Sequence, residues 1–179
     1  MALKATIFKA TLHISDLDRG YYADHDLTLA RHPSENDERL MVRLLAFALF
    51  AEENLQFTKG LSSDDEPELW QMDDTGAITL WIEVGMPDEK RIRKGCNRGE
   101  RAVVLAYGRP ALVWWKGIEG KLARFDNLTV LYLEEGEVKQ LADLAERSLE
   151  LNVTIQEGQV WVGAGDENLL VAPKVWKGA

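Results

Sequence analysis

Segments with an apolar spacing of two open and close this chain, and helical periodicity occurs only between them; that order limits the fold more than any single motif. Residues 2–14 are rich in apolar and β-branched side chains, and 21–30 alternate through Leu27 and Leu29, so both are predicted strands, joined as a hairpin. His32-Pro33-Ser34 stops that pattern. Ser34 is predicted to cap a helix running to about Asn54, with Glu35, Asp37 and Glu38 at its positive end. Leu40, Met41, Leu44, Leu45 and Phe47 cover more than a narrow stripe, as a helix lying on a sheet requires.

The middle of the chain continues the mixture. Residues 69–72 and 78–84 flank the turn Asp73-Asp74-Thr75-Gly76 and form a predicted hairpin. A short helix over 89–97 leads into a strand at 102–107, then a helix at 111–119, a strand at 128–133 and a helix at 137–147. Strands at 152–156 and 159–162 flank Glu157-Gly158, a short-hairpin signal, and 169–175 adds one more strand. The expected class is mixed α/β: a central mixed sheet flanked by helices, with additional strands from both termini. With no repeat or Pro/Gly/Ser-rich linker, residues 1–179 are expected to form a single domain.

Composition narrows the function classes. The chain carries 30 acidic against 21 basic side chains, a formal charge of -9, so indiscriminate coating of nucleic acid is disfavoured. Its longest apolar run, residues 44–51, is eight long, against the ~20 that a spanning helix needs. Lys4 and Lys9 interrupt the N-terminus, so no signal-peptide core is expected there, and with Cys96 as the one cysteine the expected location is cytoplasmic, with no membrane partner.

Several motifs are set aside. A phosphate-cradling glycine loop is missing, and Gly163-Ala164-Gly165 lacks the third glycine of a dinucleotide site. His13, His25 and His32 do not recur at metal-ligand spacing, and neither a G-x-S-x-G elbow nor a nucleophile signature around Cys96 is present. Trp114-Trp115 reads as core filling in preference to an aromatic platform.

Residues 64–101 are the informative stretch. Asp64-Asp65-Glu66-Pro67-Glu68 places four carboxylates in five residues. On the following strand, alternation puts Leu80, Ile82 and Val84 on one face and Thr79, Trp81 and Glu83 on the other. A turn about Thr75-Gly76 sets Glu68 opposite Glu83, close enough for two carboxylates to repel unless a cation joins them. Oxygen ligands of this kind favour Mg²⁺ or Mn²⁺. Six basic residues, Lys90, Arg91, Arg93, Lys94, Arg98 and Arg101, then fall within twelve positions. Carboxylates for a metal beside cations for phosphate suit phosphodiester hydrolysis. The competing reading is a solvated helix in which Asp88 and Glu89 pair with the neighbouring cations.

Four stretches carry a resemblance: Ala2-Leu3-Lys4-Ala5-Thr6-Ile7-Phe8-Lys9-Ala10, Leu29-Ala30-Arg31-His32-Pro33-Ser34-Glu35, Asp64-Asp65-Glu66-Pro67-Glu68-Leu69-Trp70, and 81–94, which runs from Trp81-Ile82-Glu83-Val84-Gly85 to Arg91-Ile92-Arg93-Lys94. They resemble the bacterial YaeQ family along essentially the whole chain. The resemblance implies a variant of the restriction-endonuclease-like PD-(D/E)XK fold. Pro67-Glu68 then stands for the Pro-Asp element and Glu83 for the acidic residue of D/E-x-K, while Gly85 occupies the lysine position. A catalytic cation would have to come from the next helix, with Lys94 preferred and Lys90 second.

The functional expectation is thus a divalent-metal-dependent nuclease acting on DNA or RNA. Glu68, Glu83 and Lys94 are the catalytic candidates. Glu66, Glu68 and Glu83, helped by Asp65, are the metal candidates, and Lys90, Arg91, Arg93 and Lys94 would bind phosphate. Glu38 is an auxiliary metal or water-positioning carboxylate, or simply a favourable charge in the first helical turn. Because Gly85 replaces the motif lysine, the alternative is an inactive nuclease-fold protein that binds nucleic acid or a partner in transcription or translation.

Overall fold

A computed structural model describes residues 4–60 and 63–178, and these resolve into two compact units. The fold is mixed α/β, with four helices and eleven strands among the described residues.

The first unit comprises residues 4–49 and 136–173. Its strands β1 (Thr6–Asp16) and β2 (Tyr21–Arg31) form the expected hairpin. Strands β8 (Ser148–Gln156), β9 (Gln159–Ala164) and β10 (Glu167–Val171) complete a five-stranded sheet ordered β10-β9-β8-β1-β2. Residues 6–31 and 148–171 therefore share one sheet, in which β8 runs parallel to β1 and the other pairs are antiparallel. The two-residue turn at Glu157-Gly158 is present, both residues having positive φ (53° and 73°), as a type I′ hairpin demands.

One face of this sheet is apolar. Leu12, Leu151, Val153 and Val162 meet Met41, Leu44, Leu45 and Ala48 of α1 (Asp37–Leu49) and Leu141 of α4 (Glu135–Asp143). Truncating such a buried leucine costs ~2–5 kcal/mol. The N-cap of α1 differs from the expectation: Asn36 Oδ1 accepts the Arg39 amide at 2.9 Å, while Ser34 bonds to His32. Glu35, expected at the positive end of this helix, is buried just before it and accepts from Arg39 at 2.8 Å and Arg43 at 2.7 Å. Both α1 and α4 end short of the expected Asn54 and Arg147.

The second unit comprises the described residues of 50–135 and 174–178. Its six-stranded sheet is ordered β11-β7-β6-β5-β4-β3, from β3 (Leu55–Phe57), β4 (Leu69–Met72), β5 (Ile78–Val84), β6 (Arg101–Tyr107), β7 (Leu128–Leu133) and β11 (Lys174–Lys177). The three central strands β5, β6 and β7 are parallel and almost wholly buried, as strands covered by helices must be. Ala102, Val104, Ala106, Leu128 and Val130 pack under Ile92 and Cys96 of α2 (Glu89–Arg98) and Ala111, Ile118 and Leu122 of α3 (Arg109–Leu122). Trp114 and Trp115 stand half-buried at the margin of this core, and Trp115 stacks on Trp176 at 5.3 Å. The single strand expected at 169–175 is two, β10 and β11, interrupted at Ala172-Pro173 and assigned to different sheets.

Candidate functional site

The acidic pair forms at the β4–β5 hairpin of the second unit. Leu69 pairs with Ile82, Trp70 with Trp81 and Gln71 with Leu80, the register expected from the turn, before a bulge at Met72. Beyond β4 the Glu68 amide donates to Ile82 O at 3.0 Å, one residue off the 69–82 register, and the Glu68 carboxylate still lies near enough to raise that of Glu83. Each of the two is only 3% exposed. Gly60, at φ +47°, makes room for the first: a Cβ there would lie 2.3 Å from Glu68 Oε2.

Glu83 is committed to two donors. Its Oε1 accepts the indole N–H of Trp81, two residues back on the same face, at 2.9 Å. Its Oε2 accepts Arg91 Nε, also at 2.9 Å. Burial pushes the Glu83 carboxyl above its usual range, Glu68 adds to that, and Arg91 and Trp81 only partly oppose it. Trp81 in turn needs Gly95 on α2, where any side chain would strike the indole.

The helix cations have a different task from the expected one. Asp88 caps α2 by accepting the Arg91 amide at 2.8 Å. From that start, positions 91, 94 and 98 share a face and close on the loop before β4. Arg91 donates to Glu66 O at 2.7 Å and Ser63 O at 3.3 Å, Lys94 to Asp64 O at 2.9 Å, and Arg98 to Asp65 O at 2.7 Å. Three guanidinium and ammonium groups thus satisfy loop carbonyls, and Arg98 also covers the Trp81 ring at 5.2 Å. Lys94 reaches Asp65 Oδ1 at 3.5 Å. Lys90 and Arg93 remain exposed. Asp64, Asp88, Lys90, Arg91 and Lys94 line an open cleft of about 260 Å³.

The remaining candidates are scattered. Glu66 is half-buried, with Oε2 enclosed and lacking a hydrogen-bond partner in this arrangement. Asp65 points to solvent. Glu38 stands half-buried on α1, in the first unit. As placed, the carboxylates fit a divalent ion poorly. A guanidinium occupies the approach to Glu83 Oε2, and among the described residues no three His, Cys, Asp or Glu side chains group to hold a metal. Gly85 has φ +100° and donates to Leu105 O at 2.9 Å. A lysine there would have open space but a left-handed backbone, a strain of ~1–2 kcal/mol.

Two partners escaped the sequence reading. Trp81 as a donor to Glu83 was signalled by their i, i+2 spacing on one strand face. Arg91 as the counter-ion had no local signal, because Glu83 lies eight residues back on another element and its two carbonyl acceptors lie 25 and 28 residues away.

Comparison with known proteins adds the family. A family model described as YaeQ protein matches residues 1–173. The chain is 48% identical over 178 residues to a protein of Salmonella typhi called "Uncharacterized protein YaeQ", covering 99% of this chain and 98% of that one. A protein of Escherichia coli (strain K12) with the same description is 47% identical over 178 residues, with the same coverage. The crystal structure of YaeQ protein from Xanthomonas axonopodis pv. citri superposes with a TM-score of 0.94 at 50% identity, covering 98% of this chain and 99% of that one. The corresponding structure from Pseudomonas syringae gives a TM-score of 0.94 at 36% identity, with 98% and 97% covered. From its first strand to its last, this chain belongs to the YaeQ family.

Proposed function

We propose that this chain is a non-hydrolytic, phosphate-binding variant of the restriction-endonuclease-like fold, acting on nucleic acid through binding alone. One observation carries the reading: both oxygens of Glu83 accept N–H donors, from Trp81 and Arg91, at 2.9 Å each. A carboxylate so engaged is a strut between β5 and α2. A nuclease of this type needs it to face a metal and an attacking water. Gly85 supports the same reading, since its φ of +100° disfavours the lysine that hydrolysis would use. Arg91, Lys94 and Arg98 are spent on carbonyls of 63–66, which leaves Lys90 and Arg93 to meet phosphate from solvent. The cleft beside Lys90, about 260 Å³, is below the ~300–1,000 Å³ of typical small-molecule pockets but ample for one phosphate group.

The test is binding of labelled single-stranded DNA and RNA 20-mers followed by anisotropy across salt. For two contacted phosphates the expected log–log slope is about -1.4, and Lys90→Gln/Arg93→Gln abolishes it. A salt-independent affinity, or one unchanged in that variant, rejects the binding role. In parallel, Mn²⁺ titration by calorimetry is expected to show no saturable heat that depends on Glu83. Mn²⁺-dependent cleavage of either oligonucleotide that disappears in Glu83→Gln would restore the nuclease reading.

A further inference from the structure

The sheet of the first unit has a second face, and it is not apolar. Strand register places Tyr22, Ser15, Thr154, Trp161 and Leu170 in one transverse row across all five strands. The three large members of that row are open to solvent: Tyr22 is 64% exposed, Leu170 44% and Trp161 39%. The next row holds Asp24, His13 and Asn152, and the one after it Asp26 and Thr11, with Glu150 on β8. His13 takes one oxygen of Asp24 at 2.7 Å and one of Glu150 at 2.9 Å, and Thr11 donates to Asp26 at 2.8 Å. Lys9 lies one row further from the aromatics.

Glu150 also belongs to a cleft of about 440 Å³ bordered by β8, β9 and β10. Four more carboxylates line it, Asp143, Glu146, Asp166 and Glu167, and no lysine or arginine is among the described residues that do so. All five are exposed. Apart from the bond of His13 to Glu150, no cationic partner relieves their repulsion among the described residues that line the cleft, which gives it a negative potential that repels phosphate and attracts cations.

We infer that this face is a docking surface for a basic, extended segment of another protein, with arginine or lysine side chains lying on Trp161 and Tyr22 and reaching into the acidic cleft. Trp and Tyr faces attract guanidinium and ammonium groups. Along β8, Thr154 of the aromatic row lies four residues from Glu150, a separation of ~13 Å at ~3.3 Å per residue. An extended peptide advances by a similar amount, so basic side chains about four residues apart satisfy both features together.

The probe is a labelled twelve-residue peptide, (Arg-Gly-Ser)₄, measured by anisotropy against the full chain at low and physiological salt. Neutralising the cleft with Glu146→Gln/Glu150→Gln/Asp166→Asn is expected to weaken binding about tenfold. Trp161→Ala is expected to weaken it by about fivefold, with the cleft intact. Because a polycation has some affinity for any chain of charge -9, an equal-charge control, Glu53→Gln/Asp74→Asn/Glu119→Gln, is measured alongside. A control loss of less than about twofold supports the docking face. Equal losses in control and cleft variants overturn it, as does an absence of binding at low salt or an unchanged affinity in Trp161→Ala. Circular dichroism melts confirm that the exposed substitutions leave the fold in place.

Discussion

Gly95 lies directly beneath Trp81: a Cβ at position 95 would stand 2.6 Å from both Cδ1 and Nε1 of the indole. That closeness lets α2 settle against β5 so that the same indole N–H reaches Glu83. In an exposed helix interior Gly→Ala ordinarily stabilises by up to about 1 kcal/mol. Here the sign reverses. Gly95→Ala is expected to lose ~1–3 kcal/mol through overpacking, seen as a lower melting temperature and an altered near-ultraviolet tryptophan signal. A variant more stable than the parent would refute the packing account.

Glu83 and Arg91 should respond unequally to removal. Glu83→Gln keeps an acceptor for Trp81 and leaves Arg91 its carbonyl partners, so a loss of about 1 kcal/mol is expected. Arg91→Met strands a buried carboxylate. The loss expected is about 3 kcal/mol, the lower end of the range for a broken buried pair because the Arg91 side chain is 24% exposed. Denaturant unfolding of both variants and the double mutant separates the two figures; equal losses would contradict the strut.

Acidity gives a second handle on the same residue. The folded carboxyl of Glu83 lies above its ordinary 4.5, with burial as the largest cause. The folded state therefore holds that proton more tightly than the unfolded one. Its contribution is fully present below 4.5 and is lost as pH rises through the raised folded value. Wild-type stability should show that fall relative to Glu83→Gln, whose curve lacks it, in melts taken from pH 4 upward. Parallel curves would exclude the shift.

His13 and His25 should pull in opposite directions. Hydrogen bonds to Asp24 and Glu150 raise His13 above 6.5, so its stabilisation is full below 6.5 and lost as pH rises through its folded value. Burial against Phe47 lowers His25, so its contribution is present above 6.5 and lost as pH falls. Melting temperatures at pH 5.5 and 8 test this: His13→Gln should lose more at the lower pH and His25→Gln more at the higher. The same sign in both variants would disprove the assignment.

At the β8–β9 turn Glu157 holds φ 53°, a conformation that asparagine tolerates better. Its amide bond to Asp18, 2.7 Å, does not depend on the side chain. Glu157→Asn is expected to stabilise by ~0.4–1 kcal/mol, a rise of a few degrees in melting temperature. No rise, or a fall, would show that the glutamate side chain contributes to the turn.

What the residues determined alone was local. Alternation along 78–84 put Trp81 and Glu83 on one face, the turn at Asp73–Gly76 set the register of residues 69–71 against 80–82, and Glu157-Gly158 specified its hairpin, because period-two patterns and turn chemistry act over a few residues. Tertiary structure decided the rest. The partners of Arg91 lie up to 28 residues away, and β8 joins β1 in parallel across some 140 residues, pairings that no local pattern encodes. Gly85 was visible as a missing lysine, yet only the fold gave it φ +100° and so a backbone reason for the absence. Burial made Glu83 a strut: a carboxylate withdrawn from water takes the nearest donors, and here those are an indole and a guanidinium supplied by packing.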